Sequence, residues 1–281
     1  MSAVSEKKIC LGFDLDGLEQ IDSKYQQAEH KIEFFEKLLR LLEKNDELPG
    51  ACKIQSSFVE ALGEKSFLYL KQLVDLSHAF KIPVIWDAKR GDIGNSNKGY
   101  VTAAYSFLNA DAITINPYMG TAADFFVPGK TTYVLAKTSN PEAQAIQCLK
   151  LADGSLLYQK IIHQTFADLH HKEKSAGLPD HTLSLGFVMG ATHPTELENL
   201  LQAHGQEKFK LLIPGIGAQG GDLKQVVSII KKNDYVWQNT LINVSRGIIF
   251  AYKKFQSSPD NCFEASLREM AALNFEIRNS V

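Results

Sequence analysis

Apolar residues along the chain fall in short blocks separated by longer stretches of helical period. The blocks Ile9–Phe13, Ala51–Ile54, Val84–Trp86, Ala112–Ile115, Thr132–Leu135, Leu183–Val188, Leu211–Ile213 and Leu241–Val244 predict eight strands. They lack clear in–out alternation, which is the pattern of parallel strands buried on both faces. Between the first two, Lys31–Leu42 places Ile32, Phe34, Phe35, Leu38, Leu39, Leu41 and Leu42 in a broad stripe at helical spacing. Phe67–Phe80, Tyr100–Leu108, Leu156–Leu169, Thr195–Ala203, Leu223–Ile230 and Phe263–Ile277 read as helices in the same way. Eight strand–helix units in alternation predict an α/β fold, the (β/α)8 TIM barrel, with a doubly wound sheet as the alternative. No Pro/Gly/Ser-rich linker, low-complexity tract or internal repeat divides the pattern, so residues 1–281 are expected to form a single barrel domain with a C-terminal helix. The segment from Pro141 to His181 is expected to hold an extended helix and a loop. Its His170-His171-Lys172-Glu173-Lys174 run reads as a solvated face rather than a metal site.

Composition narrows the function classes. Hydrophobic residues make up 44% and charged residues 22% of the 281, as in ordinary globular proteins. A formal net charge of −2 gives no electrostatic reason to expect nucleic acid or a membrane surface as partner. Cys10, Cys52, Cys148 and Cys262 are scattered, with no CxxC or His/Cys cluster, so neither a zinc site nor a disulfide framework is suggested. The segment Met1–Lys8 is polar, and no apolar run approaches a membrane span. A cytoplasmic protein with reduced thiols is expected.

The ends of the predicted strands are unusually polar. They carry or lead into Asp14; Lys53 and Gln55; Asp87 and Lys89; Asn116; Lys137, Thr138 and Ser139; Thr192 and His193; the loop Pro214–Gly221; and Ser245-Arg246-Gly247. In a barrel these ends build the active site. The densest signal is Val84-Ile85-Trp86-Asp87-Ala88-Lys89-Arg90-Gly91-Asp92. If the strand runs to Asp87, then Asp87 and Lys89 lie two apart and tend to point to one side. Desolvated charges must be paired, and at a cleft they often carry chemistry. The plainer reading is an ion pair with Asp92 as the N-cap of the next helix. The glycines of Pro214–Gly221 let backbone N–H groups approach an anion closely, Arg246 can grip a phosphate with two hydrogen bonds, and barrel enzymes often seat a phosphate between the last two loops.

Asp87-Ala88-Lys89-Arg90-Gly91-Asp92-Ile93-Gly94-Asn95-Ser96, together with Pro214-Gly215-Ile216-Gly217-Ala218-Gln219-Gly220-Gly221 and Ser245-Arg246-Gly247, resembles the orotidine 5'-phosphate decarboxylase family, and within it the longer bacterial subgroup. The resemblance runs from about Leu11 to Tyr252. The shorter Asp-x-Lys-x-x-Asp motif is shared with sugar-phosphate enzymes of the same superfamily, and the longer motif is far more specific. The resemblance implies conversion of orotidine 5'-monophosphate to uridine 5'-monophosphate and CO2 in pyrimidine biosynthesis, with no metal and no organic cofactor. It implies a catalytic network of Lys53, Asp87, Lys89 and Asp92, in which Lys89 is the proton donor. Asp92 would be contributed across the interface of a homodimer. Substrate-binding positions implied in the same way are Asp14, Ile93, Ser96, Ser139, Pro214, Gln219, Arg246 and Gly247. Asp14 and Lys53 would hold the ribose, Ser139 the pyrimidine, and Gln219 and Arg246 the phosphate.

Two positions depart from the family pattern. The first strand usually ends Leu-Asp-Pro, whereas here Phe13-Asp14-Leu15-Asp16 leaves Asp16 as an alternative to Asp14; Ser96 stands where Thr is common. The rival enzyme reading is a metal-dependent sugar-phosphate aldolase or decarboxylase of the same superfamily. Such an enzyme needs a carboxylate on strand two to help hold Mg2+, where this chain has Lys53. A non-catalytic phosphate-binding barrel is the other rival.

Overall fold

The computed structural model describes residues 7–217 and 220–280. The eight strands are β1 Ile9–Gly12, β2 Ala51–Gln55, β3 Val84–Arg90, β4 Ala112–Ile115, β5 Thr131–Lys137, β6 Ser184–Met189, β7 Lys210–Pro214 and β8 Thr240–Val244. They pair in parallel in sequence order and close: β1 also pairs with β8, setting Ile9 against Ile242, Cys10 against Asn243 and Leu11 against Val244. That closure makes the fold a (β/α)8 barrel and excludes the doubly wound sheet. Every predicted strand is present within a residue or two, except that β3 runs four residues further than Trp86.

The helices are α1 Ala28–Lys44, α2 Ser56–Glu60, α3 Ser66–Ala79, α4 Gly94–Val101, α5 Ala143–Gln147, α6 Leu157–Ser175, α7 Pro194–His204, α8 Leu223–Ile230, α9 Asp234–Gln238, α10 Arg246–Ile249, α11 Ala251–Lys254 and α12 Cys262–Asn279. The predicted helix Tyr100–Leu108 begins six residues earlier, as α4, and continues as a π-helical stretch, Thr102–Phe107. Its first turn, Gly94 to Asn97, has no apolar stripe to announce it. The segment from Pro141 to His181 holds α5, a short antiparallel bridge between Lys150 and Leu156, and α6. α6 extends through the His170–Lys174 run, which is not wholly solvated. Glu173 is buried and accepts from the Leu183 amide, and the Lys172 ammonium donates to the Ala123 carbonyl.

Two apolar layers explain why the strands do not alternate in composition. Cys10, Ala51, Ile85, Ala112, Tyr133, Val188 and Leu212 point inward and plug the barrel. Their neighbours, among them Leu11, Cys52, Trp86, Ile113, Val134, Phe187 and Ile213, face the helices. Both faces are dry, so both are apolar. The alternation reappears one layer above the plug, where inward positions become polar: Lys53 after Ala51, Asp87 after Ile85, Thr114 after Ala112. The C-terminal helix α12 braces the last strand's loop. Ser266 Oγ donates to the carbonyl of Ile248 in α10 at 2.8 Å, and Phe263 packs on Phe34 of α1 with ring centres 5.0 Å apart. Among the described residues no helix is long and apolar enough to cross a membrane.

Candidate active site

A cavity of about 460 Å3 opens at the carboxyl ends of the strands. Its walls include Asp14, Lys53, Gln55, Asp87, Lys89, Ser139, Pro214, Asn243, Arg246 and Gly247. Eight of the positions expected to form the site therefore line one cavity: Asp14, Lys53, Asp87, Lys89, Ser139, Pro214, Arg246 and Gly247. Asp92, Ile93 and Ser96 do not line it, and Gln219 lies outside the described residues.

The floor is a charge network centred on Asp87. Oδ2 of Asp87 accepts from Lys53 Nζ at 2.7 Å, and Oδ1 accepts from Lys89 Nζ at 2.6 Å. The side chains of Lys53 and Asp87 are each 8% exposed, while Lys89 is 41% exposed and reaches the open cavity. Burial alone would push the Asp87 carboxyl up, but the two ammonium groups hold it well below the usual carboxylate range. Lys53 shows the reverse balance. Burial disfavours its charge, and Asp87 and Asp14 outweigh that, so its pKa is raised.

The backbone that carries this network is irregular. β3 advances from Trp86 to Arg90 while β4 advances only from Ile113 to Ile115, so the chain bulges across Asp87, Ala88 and Lys89. Lys89 sits at φ 49, in the left-handed region. Simple alternation along a strand therefore does not account for the Asp87–Lys89 pair. Thr114, on β4, accounts for part of it: its Oγ1 accepts from the Lys89 amide at 3.0 Å and donates to Asp87 Oδ1 at 2.7 Å. Thr114 is fully buried and was not among the expected site residues, since a threonine inside a strand carries no signal of its own.

Asp14 lies just past the end of β1. Burial raises its pKa, with Lys53 and a hydrogen bond from Ser245 working the other way. Gly12 makes that approach possible, because a Cβ there would collide with the Ser245 hydroxyl. Asp16 is exposed and does not line the cavity; β1 ends at Gly12, so its alternation does not extend to Asp16. In the loop after β7, Gly215, Gly217 and Gly220 adopt φ of 105, 75 and 86, a backbone that residues with a Cβ rarely take. Arg246 opens α10, which is only four residues long and so carries no long helix dipole; Gly215, Ile216, Arg246 and Gly247 line the cavity there.

Asp92 is not a helix cap. α4 follows Ile93, and the Asp92 carboxylate accepts from the adjoining Ile93 amide at 2.8 Å. Its backbone is fastened by Asn97, a fully buried side chain absent from the expectations. Asn97 Oδ1 accepts from the Asp92 amide, and its Nδ2 donates to the Asp92 carbonyl. Around this loop lie exposed apolar side chains: Ile93 at 62%, Tyr118 at 90% and Met119 at 53%.

A closed barrel with a charged floor at the carboxyl ends of its strands and a glycine-rich loop at its rim is the plan of a (β/α)8 enzyme. The family model described as "Orotidine 5'-phosphate decarboxylase / HUMPS family" matches residues 7–257, and the chain belongs to that family. It is 34% identical over 273 residues to the orotidine 5'-phosphate decarboxylase of Herpetosiphon aurantiacus, covering 95% of this chain and 93% of that one. The enzyme of the same name from Roseiflexus is 34% identical over 248 residues, covering 86% and 84%. Among solved structures, the OMP decarboxylase of Leishmania donovani superposes with a TM-score of 0.70 at 28% identity, over 97% of this chain and 96% of that one.

Proposed function

We propose that this chain decarboxylates orotidine 5'-monophosphate to uridine 5'-monophosphate and CO2, as a cytoplasmic enzyme of pyrimidine biosynthesis formed by one barrel domain. The observation that carries this reading is the Asp87 carboxylate held between two ammonium groups, one buried and one facing the cavity. The bond from pyrimidine C6 to its carboxylate breaks, and the electron pair stays on C6, in an orbital outside the ring's π system. Lys89, the cation that reaches open space, stabilises that charge and gives C6 its proton. Asp87 aims the ammonium, and Lys53 anchors Asp87. Charges fixed before the reaction need no reorganisation when the carbanion forms.

Remote contacts hold the substrate. Asp14 and Lys53 bind the ribose, Ser139 the pyrimidine, and Arg246, Gly247, Pro214 and Gln219 the phosphate end. Binding energy spent on the phosphate orders the loops around the reacting end. Asp92, Ile93 and Ser96 serve the site of a second copy in a homodimer. Their position away from the cavity of their own chain, beside exposed Tyr118 and Met119, supports that assignment.

A metal-dependent sugar-phosphate enzyme is less well supported. The place on β2 where it would need a carboxylate holds Lys53, and an ion beside Asp87 would meet the Lys53 ammonium 2.7 Å from that carboxylate. Ultraviolet absorbance of orotidine 5'-monophosphate mixed with protein and excess EDTA decides between them. Loss of the substrate band is expected. A band that persists, with activity on a sugar phosphate once Mg2+ is added, would overturn the proposal.

A further inference from the structure

The hydroxyl of Thr114 has one proton to give and two lone pairs to offer. Its environment settles how it is used. The Lys89 amide, at 3.0 Å, occupies it as an acceptor, and Asp87 Oδ1, at 2.7 Å and ionised, accepts the hydrogen bond it donates. Both neighbours belong to the bulge of β3, and Thr114 itself stands on β4, a regular strand whose Ala112–Ile115 ladder to β5 is unbroken. The threonine is 0% exposed.

Two features of the bulge need such a support. Lys89 is a non-glycine residue at φ 49, a conformation that persists only where surrounding contacts hold it. Asp87 Oδ1 also accepts from the half-exposed Lys89 side chain at 2.6 Å. Lys53 holds the other oxygen, Oδ2, and Thr114 is the donor to Oδ1 that is buried in the barrel wall.

We propose that Thr114 is a positioning residue for the reaction, one that fixes the Asp87 carboxylate and the Lys89 backbone at the same time and thereby sets where the Lys89 ammonium stands. It does not line the cavity and acts through Asp87 and Lys89. In its kinetic part this inference rests on the proposed decarboxylase activity; in its structural part it does not.

Two substitutions separate the hydroxyl from its volume. Thr114→Val keeps the shape and removes both hydrogen bonds. Thr114→Ser keeps the hydroxyl and removes a methyl group from the barrel interior. A positioning role predicts that Val lowers kcat by about a hundredfold, the scale of a displacement of the reacting group by about 1 Å, with KM changed by less than about threefold. Ser is expected to stay within about threefold of the parent in kcat. A packing role predicts the opposite order, with Val the milder change, and that order would overturn the proposal, as would equal kcat for all three proteins. Amide hydrogen exchange at Lys89 reads the same support without turnover. Protection is expected to fall in Thr114→Val and to persist in Thr114→Ser; unchanged protection in Val would also overturn it. A parent protein that does not decarboxylate the substrate, but whose Lys89 amide loses protection in Thr114→Val, would overturn the proposed function and leave only the structural support of Asp87 and Lys89 standing.

Discussion

The Lys89 ammonium lies 2.6 Å from Asp87 Oδ1, two residues back along the same strand, and it gets there from a left-handed backbone. On a regular strand the Cα atoms of residues two apart are separated by roughly 6.6 Å and their side chains run side by side. The bulge replaces that arrangement and puts the lysine's end against the carboxylate while leaving it open to the cavity. Loss of this relationship, or of the groups that depend on it, has measurable consequences.

Asp87→Asn removes the carboxylate between two ammonium groups. Lys53 then stays buried with only the Asp14 carboxylate near it, and removing one partner of a buried pair costs up to about 3–5 kcal/mol. Turnover is expected to vanish and the thermal midpoint to drop. A variant with the parent's melting temperature would show that Lys53 finds other partners.

Lys89→Ala and Asp92→Ala are each expected to be inactive. Mixed and allowed to exchange subunits, they should regain activity, because one site of each mixed dimer takes Lys89 from one chain and Asp92 from the other. No recovery, with exchange demonstrated by differently tagged subunits, would place Asp92 outside the partner's site.

Arg246→Ala is expected to weaken binding of the product nucleotide. A hydrogen bond to a charged group is worth about 1.5–3 kcal/mol, so affinity should fall about ten- to a hundredfold. Titration of the product nucleotide checks this, and an unchanged affinity would remove Arg246 from the phosphate site.

Lys8 lies at the opposite end of the barrel, nearly fully buried. Its Nζ donates to the Gln238 carbonyl at 2.9 Å and stands 5.1 Å from the Trp237 ring, whose ring Lys231 also approaches. Burial lowers its pKa from 10.5 to about 8. Between those two values the unfolded chain binds the proton more tightly than the folded one, so this group's contribution to stability improves as pH rises through that window. Below it both states are protonated and the full penalty applies. Lys8→Met removes the titration, so the variant's stability relative to the parent should be greatest near about pH 7 and decline toward about pH 10. Denaturant melts at the two pH values check this, and a difference that does not vary would show that Lys8 does not titrate there.

Much of the fold was legible because strand and helix periods are local. β4 and α8 match their predicted bounds residue for residue, and the order of apolar blocks already implied a parallel sheet. Asp14, Lys53, Asp87, Lys89, Ser139, Pro214, Arg246 and Gly247 were legible as strand-end residues, and a barrel brings strand ends together. Thr114 and Asn97 were not. Each matters through atoms that the folded chain brings to it: Asp87 and Lys89 for Thr114, and Thr121 and Asp124 as well as nearby Asp92 for Asn97.

The sequence by itself determined the eight-unit alternation, the family and the residue types at the strand ends, because these follow from periodicity and from motifs contiguous along the chain. Only the tertiary structure decided that the sheet closes between β1 and β8, that Asp14 rather than Asp16 faces the cavity, and that β3 bulges so that Asp87 meets two lysines at once. It also decided that Asp92 does not line the cavity of its own chain. Those outcomes depend on register between strands and on backbone irregularities that set which side chains meet, which no local pattern of hydrophobic and polar positions encodes.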